Sequence, residues 1–151
     1  MNLFFEDFTA GRDFVSSEKI VVQEDIRKFA NLTGDFNKLH LEEEYAKLTI
    51  FGRPIAHGMF VLSLALGLWY SLDLTRESII AFLGIDHLSF RLPVYADDRI
   101  HLMSKVLSSR ESKSRNNAGI VVFKDEMRNS RGESVLDFER TLLLKKRQKG
   151  V

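Results

Sequence analysis

The chain has 151 residues, 44% of them hydrophobic and 28% charged, with a formal net charge of +1 and no cysteine. That length suits one ordinary domain able to bury about 70% of its unfolded surface. The near-neutral charge gives no ground for binding nucleic acid or an acidic membrane, and the missing cysteines exclude disulfides, thiol nucleophiles and thiolate metal sites.

The N-terminus, M-N-L-F-F-E-D-F, carries an acidic pair where a secretory signal needs a basic start and a longer apolar run, so a cytoplasmic location is expected. From Asp13 to Val22 the residues suit a strand ending at Gln23-Glu24-Asp25, whose acids favour the first turn of a helix. Ile26, Phe29, Ala30 and Thr33 recur at helical spacing, which predicts a short amphipathic helix stopped by Gly34. The next stretch, T-G-D-F-N-K-L-H-L, places His40 five residues after Asp35. On a continuous helix five residues turn through about 140°, so the two side chains would diverge. Gly34 and Asn37 both tolerate positive φ, and Asn can cap its own turn. The spacing predicts a loop that aims two titratable groups at one point.

Glu42 to Lys47 can form another short helix, broken by Phe51-Gly52-Arg53-Pro54. Starting near His57 or Gly58, the run M-F-V-L-S-L-A-L-G-L-W-Y is apolar on every face. A membrane span needs about 20 such residues, so a helix buried inside the protein is expected, closed off by Thr75-Arg76-Glu77. Strand patterns follow. Leu88, Phe90 and Leu92 alternate with His87, Ser89 and Arg91, and Ile100 and Leu102 alternate with Arg99 and His101. Turn signals at 96–98, 116–117 and 129–132 leave final strands over about Ala118–Arg128 and Ser134–Lys145. The expected plan is α+β, an antiparallel sheet curled around the apolar helix as a single domain over residues 1–151. The basic run Lys145–Lys149 and the group Arg110, Lys113 and Arg115 read as solvated, and His87 and His101 lack ligand-like spacing, so no metal site is expected.

Three segments stand out: F-A-N-L-T-G-D-F-N-K-L-H-L (Phe29 to Leu41), F-G-R-P-I-A-H-G-M (Phe51 to Met59) and L-S-F-R-L-P-V (Leu88 to Val94). In this order and separation they make the chain resemble the MaoC-like dehydratases, which include the (R)-specific enoyl-CoA hydratases. The resemblance implies a hotdog fold, in which a curved antiparallel sheet wraps a central helix. It implies reversible addition of water to a trans-2-enoyl thioester, with the catalytic pair falling on Asp35 and His40. Gly58 takes the place of the helix-entry glycine, and Ser63 that of a serine associated with the site. His57 joins these two as the expected oxyanion and substrate-binding group, with bonding near the helix entrance as its main expected part. No cofactor is implied. The partner is an acyl-CoA or acyl carrier protein thioester, and the assembly at least a homodimer.

Two positions depart from the family pattern. Lys38 stands where a proline usually stiffens the loop, and Asp97-Asp98 replaces a Gly-Asp pair. The chemistry itself needs water delivered to C3, a proton to C2, and stabilised charge on the thioester oxygen. A carboxylate and an imidazole around one water meet the first two needs, and backbone N–H groups at a helix start meet the third. Which of Asp35 and His40 takes the proton from water stays open. Gly58 is read as the N–H donor at the helix start, with a positive φ or local crowding as the alternative reason for a glycine there. A thioesterase on the same fold and a non-catalytic acyl-thioester binding module are the rival readings.

Overall fold

A computed structural model describes residues 1–148. Alternating side-chain direction along four long strands accounts for the architecture. These are β3 (Ile79–Phe90), β4 (Arg99–Glu111), β5 (Ala118–Asn129) and β6 (Ser134–Lys145). With the short β1 (Asp13–Val15) they form an antiparallel sheet in the order β1-β4-β5-β6-β3, and β2 (Lys19–Ile20) also pairs with β4. Successive strands β4, β5 and β6 are hairpin neighbours. β3 instead crosses to the far side and pairs with β6, so the earliest long strand forms an outer edge.

The inner face of the sheet is apolar at most alternate residues: Ile100, Leu102 and Val106 on β4, Val121, Phe123 and Met127 on β5, and Leu136, Phe138, Leu142 and Leu144 on β6. Against it lies α4 (Gly58–Ser71), which buries Phe60, Val61, Leu62, Ala65, Leu68 and Trp69. Curved sheet and central helix are the layers of a hotdog fold, as expected. Among the described residues no helix is long and apolar enough to cross a membrane.

Several expectations need correction. The strand foreseen from Asp13 to Val22 is broken into β1 and β2. Ser16 interrupts it, because the Leu102 N–H donates to the Ser16 hydroxyl while the Ser16 N–H donates to the Leu102 carbonyl. A side chain thus stands in for one rung of the ladder. The alternation foreseen for 87–92 also fails. His87 adopts φ 53°, the register shifts between Asp86 and Ser89, and the strand stops at Phe90. Nor is α4 covered all round: Met59, Ser63, Gly67 and Tyr70, recurring at helical spacing, form an exposed stripe. Of the C-terminal basic run, Lys149 lies outside the described residues.

One charge sits where only apolar groups are expected. Arg140 on β6 is fully buried, its guanidinium paired with Asp125 at 2.5 Å and stacked over the rings of Trp69 and Phe123 at 4.3 and 4.4 Å. Ser104 donates its hydroxyl to Asp125 and accepts from Arg140, while Arg140 Nη1 is left without a hydrogen-bond partner among the described residues. Removing the carboxylate strands the cation in an apolar core. We expect Asp125→Ala to cost about 3–5 kcal/mol in urea unfolding; a loss below about 1 kcal/mol would show that Trp69, Phe123 and Ser104 already satisfy the charge.

Candidate active site

The site begins where α1 (Gln23–Thr33) stops. Gly34 takes φ 81° and returns its N–H to the Ala30 carbonyl at 2.8 Å, a left-handed cap that a side chain would strain. Three short polar side chains then fold the chain on itself. Thr33 Oγ1 accepts from the Asp35 N–H, Asp35 Oδ1 from the Asn37 N–H, and Asn37 Oδ1 from the Leu39 N–H. The last of these caps a single helical turn, α2 (Lys38–Leu41), which carries His40. A pure loop is therefore not what joins the pair: the bend occupies 34–37 and His40 rides on a turn of helix. Lys38 is the first residue of that turn, the helical position proline tolerates best, so the family's proline would fit there without disturbing the caps.

The second motif supplies the other wall. After the four-residue α3 (Glu43–Ala46) the chain turns at Gly52 and runs back past α2. The Ile55 N–H donates to the Leu39 carbonyl, Ile55 bridges Tyr95, and the Ala56 N–H donates to the Val94 carbonyl. The third motif thereby clamps the second. His57 follows at the N-cap of α4 and is only 2% exposed.

These constraints bring Asp35, His40 and His57 together, with one ligand-capable atom of each within 4.8 Å of the others. His40 Nδ1–H donates to the Ile55 carbonyl at 2.8 Å, and His57 Nε2–H donates to the Asp35 carbonyl at 3.0 Å. A carbonyl can only accept, so each bond sets a tautomer. His40 is left with a bare Nε2, and His57 with a bare Nδ1 that is buried and unpartnered. The two rings stack with centroids 3.9 Å apart at 30°. Burial pushes the His40 imidazole below its ordinary range, with nearby His57 acting the same way; the Ile55 carbonyl and Asp35 oppose the shift.

Gly58 opens α4, so its N–H has no acceptor inside the helix and lies at the positive end of the helix dipole. It is not among the glycines with positive φ. Crowding is the constraint found: a Cβ built there would lie 2.7 Å from the ring of Phe90. The same ring, with Ile55, Ala56, Gly58, Met59 and Val94, lines an apolar cavity of about 490 Å³. Ser63 lies on the exposed stripe of α4, its hydroxyl donating to the Met59 carbonyl. Arg110, Lys113 and Arg115 lie at the opposite end of β4, about 35 Å along the strand from Ile100 at its site end. Sequence reasoning missed the stack of His57 on His40 and the Ile55 carbonyl; the only prior signal was a histidine directly before the helix-entry glycine.

Residues 7–126 match the MaoC like domain family. An (R)-specific enoyl-CoA hydratase of Aeromonas caviae is 42% identical over 89 residues, which is 59% of this chain and 64% of that one. Among solved structures, a monoamine oxidase regulatory protein of Archaeoglobus fulgidus superposes with TM-score 0.89 at 38% identity, covering 98% of both chains. The Mycobacterium tuberculosis protein Rv0216, which has a double hotdog fold, superposes with TM-score 0.86 at 19% identity over 99% of this chain and 46% of that one.

The close approach of Phe90 to Gly58 gives a direct test of what reserves position 58 for glycine. The ring is 54% exposed and can swing outward, so Gly58→Ala should fold at a cost of about 1–3 kcal/mol. In a Phe90→Ala background most of that cost should vanish, giving a coupling of about 1 kcal/mol or more in a double-mutant cycle of thermal or urea unfolding. Equal costs in the two backgrounds would assign the glycine some other purpose.

Proposed function

The chain belongs to the MaoC-like dehydratase family, and from that premise we propose that it reversibly adds water to a trans-2-enoyl thioester to give the (R)-3-hydroxyacyl thioester. The observation that carries this reading is the convergence of Asp35 and His40, with His40 Nε2 bare and the start of α4 alongside. The hydratase and dehydratase names describe one equilibrium approached from its two sides. The (R) outcome rests on the Aeromonas caviae relative.

In the proposed reaction one water lies between the Asp35 carboxylate and His40 Nε2. Because Nδ1–H is committed to Ile55, neutral His40 can only accept at Nε2, which makes it the base toward water. Its lowered pKa keeps that nitrogen free at neutral pH. Asp35 accepts the water's other hydrogen and orients the oxygen toward C3. The O–C3 bond forms, the C2–C3 π pair moves toward the thioester oxygen, and the Gly58 N–H with the α4 dipole stabilises the developing charge. The imidazolium then returns its proton to C2, so water's oxygen and proton arrive on one face. Every atom is accounted for without a cofactor. The apolar cavity beside Gly58 suits the acyl chain, and coenzyme A or an acyl carrier protein would hold its thioester end outside.

Assembly forms part of the same proposal. Among the described residues β3 is an outer strand with an unpaired edge, and Ile80, Phe82 and Leu83 are exposed along it. Such an edge is normally covered. Two copies meeting edge to edge along β3 would cover it and continue the sheet.

A panel of trans-2-enoyl-CoA esters of increasing length, followed by loss of enoyl absorbance and chiral analysis of the product, tests the reaction. Free thiol released from the same esters would instead identify a thioesterase, and tight binding without turnover a carrier module. Asp35→Asn and His40→Ala should each lower kcat by about 10²-fold or more, with the double variant little worse than either. Retention of more than about a tenth of wild-type kcat would remove that residue from its role. Light scattering at micromolar concentration should give the mass of a dimer, and Phe82→Glu should shift it toward the monomer; a monomeric wild-type protein would defeat the edge-to-edge arrangement.

A further inference from the structure

We propose that His57 is the positioning residue of the site, a buried strut that sets the place of both Asp35 and His40 and keeps a second cation from forming beside them. This rests on the hydration reading for its kinetic consequences but not for its geometry. One imidazole reaches both partners. Its Nε2–H holds the Asp35 carbonyl at 3.0 Å, tying down the residue whose side chain faces the water. Its ring face lies against the His40 ring at 3.9 Å, fixing the plane in which Nε2 of His40 points. Phe29 closes the remaining side, its ring 5.0 Å from His57 and 5.3 Å from Phe60. His57 is in turn the N-cap of α4, so the strut is continuous with the helix that presents the Gly58 N–H. Base, carboxylate and oxyanion donor therefore share one rigid reference.

The unpartnered Nδ1 belongs to the same arrangement. Protonating it would place a donor where no acceptor lies within reach, against a ring that must itself take a proton during turnover. A lysine, arginine or charged histidine at this position would oppose the imidazolium. A neutral ring with one N–H supports it without competing. The charged or titratable groups facing His40 are Asp35 from the loop and His57 from α4. α1 contributes only the neutral Gln23, bonded to the His40 carbonyl, and on α2's own turn Lys38 and Glu42 pair with each other at 3.9 Å.

The test uses the full chain and two variants. His57→Phe keeps the stacked ring and removes the N–H donor; His57→Gln keeps an N–H donor and removes the ring. Loss of the donor lets Asp35 drift, and misplacement by about 1 Å can cost roughly 10²-fold. We expect His57→Phe to lower kcat by about 10–100-fold with KM changed less than about threefold. His57→Gln should recover a substantial part of that loss. Unchanged kcat in His57→Phe would overturn the proposal, and so would a His57→Gln variant no more active than His57→Phe, which marks mere structural support. A readout without variants or substrate stands behind these. In the wild-type protein, imidazole 15N shifts should report His57 as the Nε2–H tautomer and His40 as the Nδ1–H tautomer. The opposite tautomers would sink the strut whatever the variants do. Absence of enoyl-CoA turnover in wild-type protein with these tautomers present would remove the hydration reading alone.

Discussion

Val61, Ala65, Leu68 and Trp69 leave water together only if a sheet bends around the helix that carries them. Each large apolar side chain so buried contributes about 1.5–3 kcal/mol, so a run of them on α4 outweighs any local preference of the flanking segments. Those segments accommodate it. The sheet curves, the strand at its first edge breaks at Ser16, and the strand at its other edge bulges at His87. The helix start is thereby held at one end of the curl, where three separate stretches of chain converge on it. The site is a consequence of how the core closes.

Two buried nitrogen bases show how differently such a core treats a positive charge. Arg140 is always protonated, and it is tolerated because a carboxylate, a hydroxyl and two aromatic faces surround it. His57 is buried to a similar degree with a single hydrogen bond, from Nε2–H to the Asp35 carbonyl, and an unpartnered Nδ1. His40, whose ring lies against it, is only half-buried.

Elements governed by local chemistry were legible in the amino-acid order. Gly34 ends α1 as a left-handed cap, and the turn signals at 116–117 and 129–132 give the bounds of β5 and β6 to within a residue. Where a distant partner decides, the pattern misled. Ser16 breaks its strand because its hydroxyl meets Leu102, 86 positions away. The apolar run of α4 reads as uniformly buried, yet the sheet covers only part of its circumference, and the Met59 to Tyr70 stripe remains open. At the site, motif spacing singled out Asp35 and His40, and Gly58 was legible as a helix entry. The stacking of His57 on His40 was not, because it depends on Ile55 and Ala56 being clamped by Val94 and Tyr95 in the loop after β3. Ser63 was placed by likeness alone, and its hydroxyl turns back to its own helix.

The crossing of β3 to the far edge has a consequence for the order of synthesis. The wall of the cavity formed by Phe90, Arg91 and Leu92 is held by the Val135 carbonyl and by the pairing of Phe90 with Leu136, both on the strand made last. During translation the first two motifs can emerge, and the loop around Asp35 can close through its own caps, while the third motif still has no strand to rest against. Long-range pairings of this kind form late and slowly. A nascent chain paused before residue 134 would carry Asp35 and His40 on an unsupported loop beside an uncovered apolar helix. A supported site and protection from aggregation would thus arrive in the same event, the docking of β6 between β5 and β3.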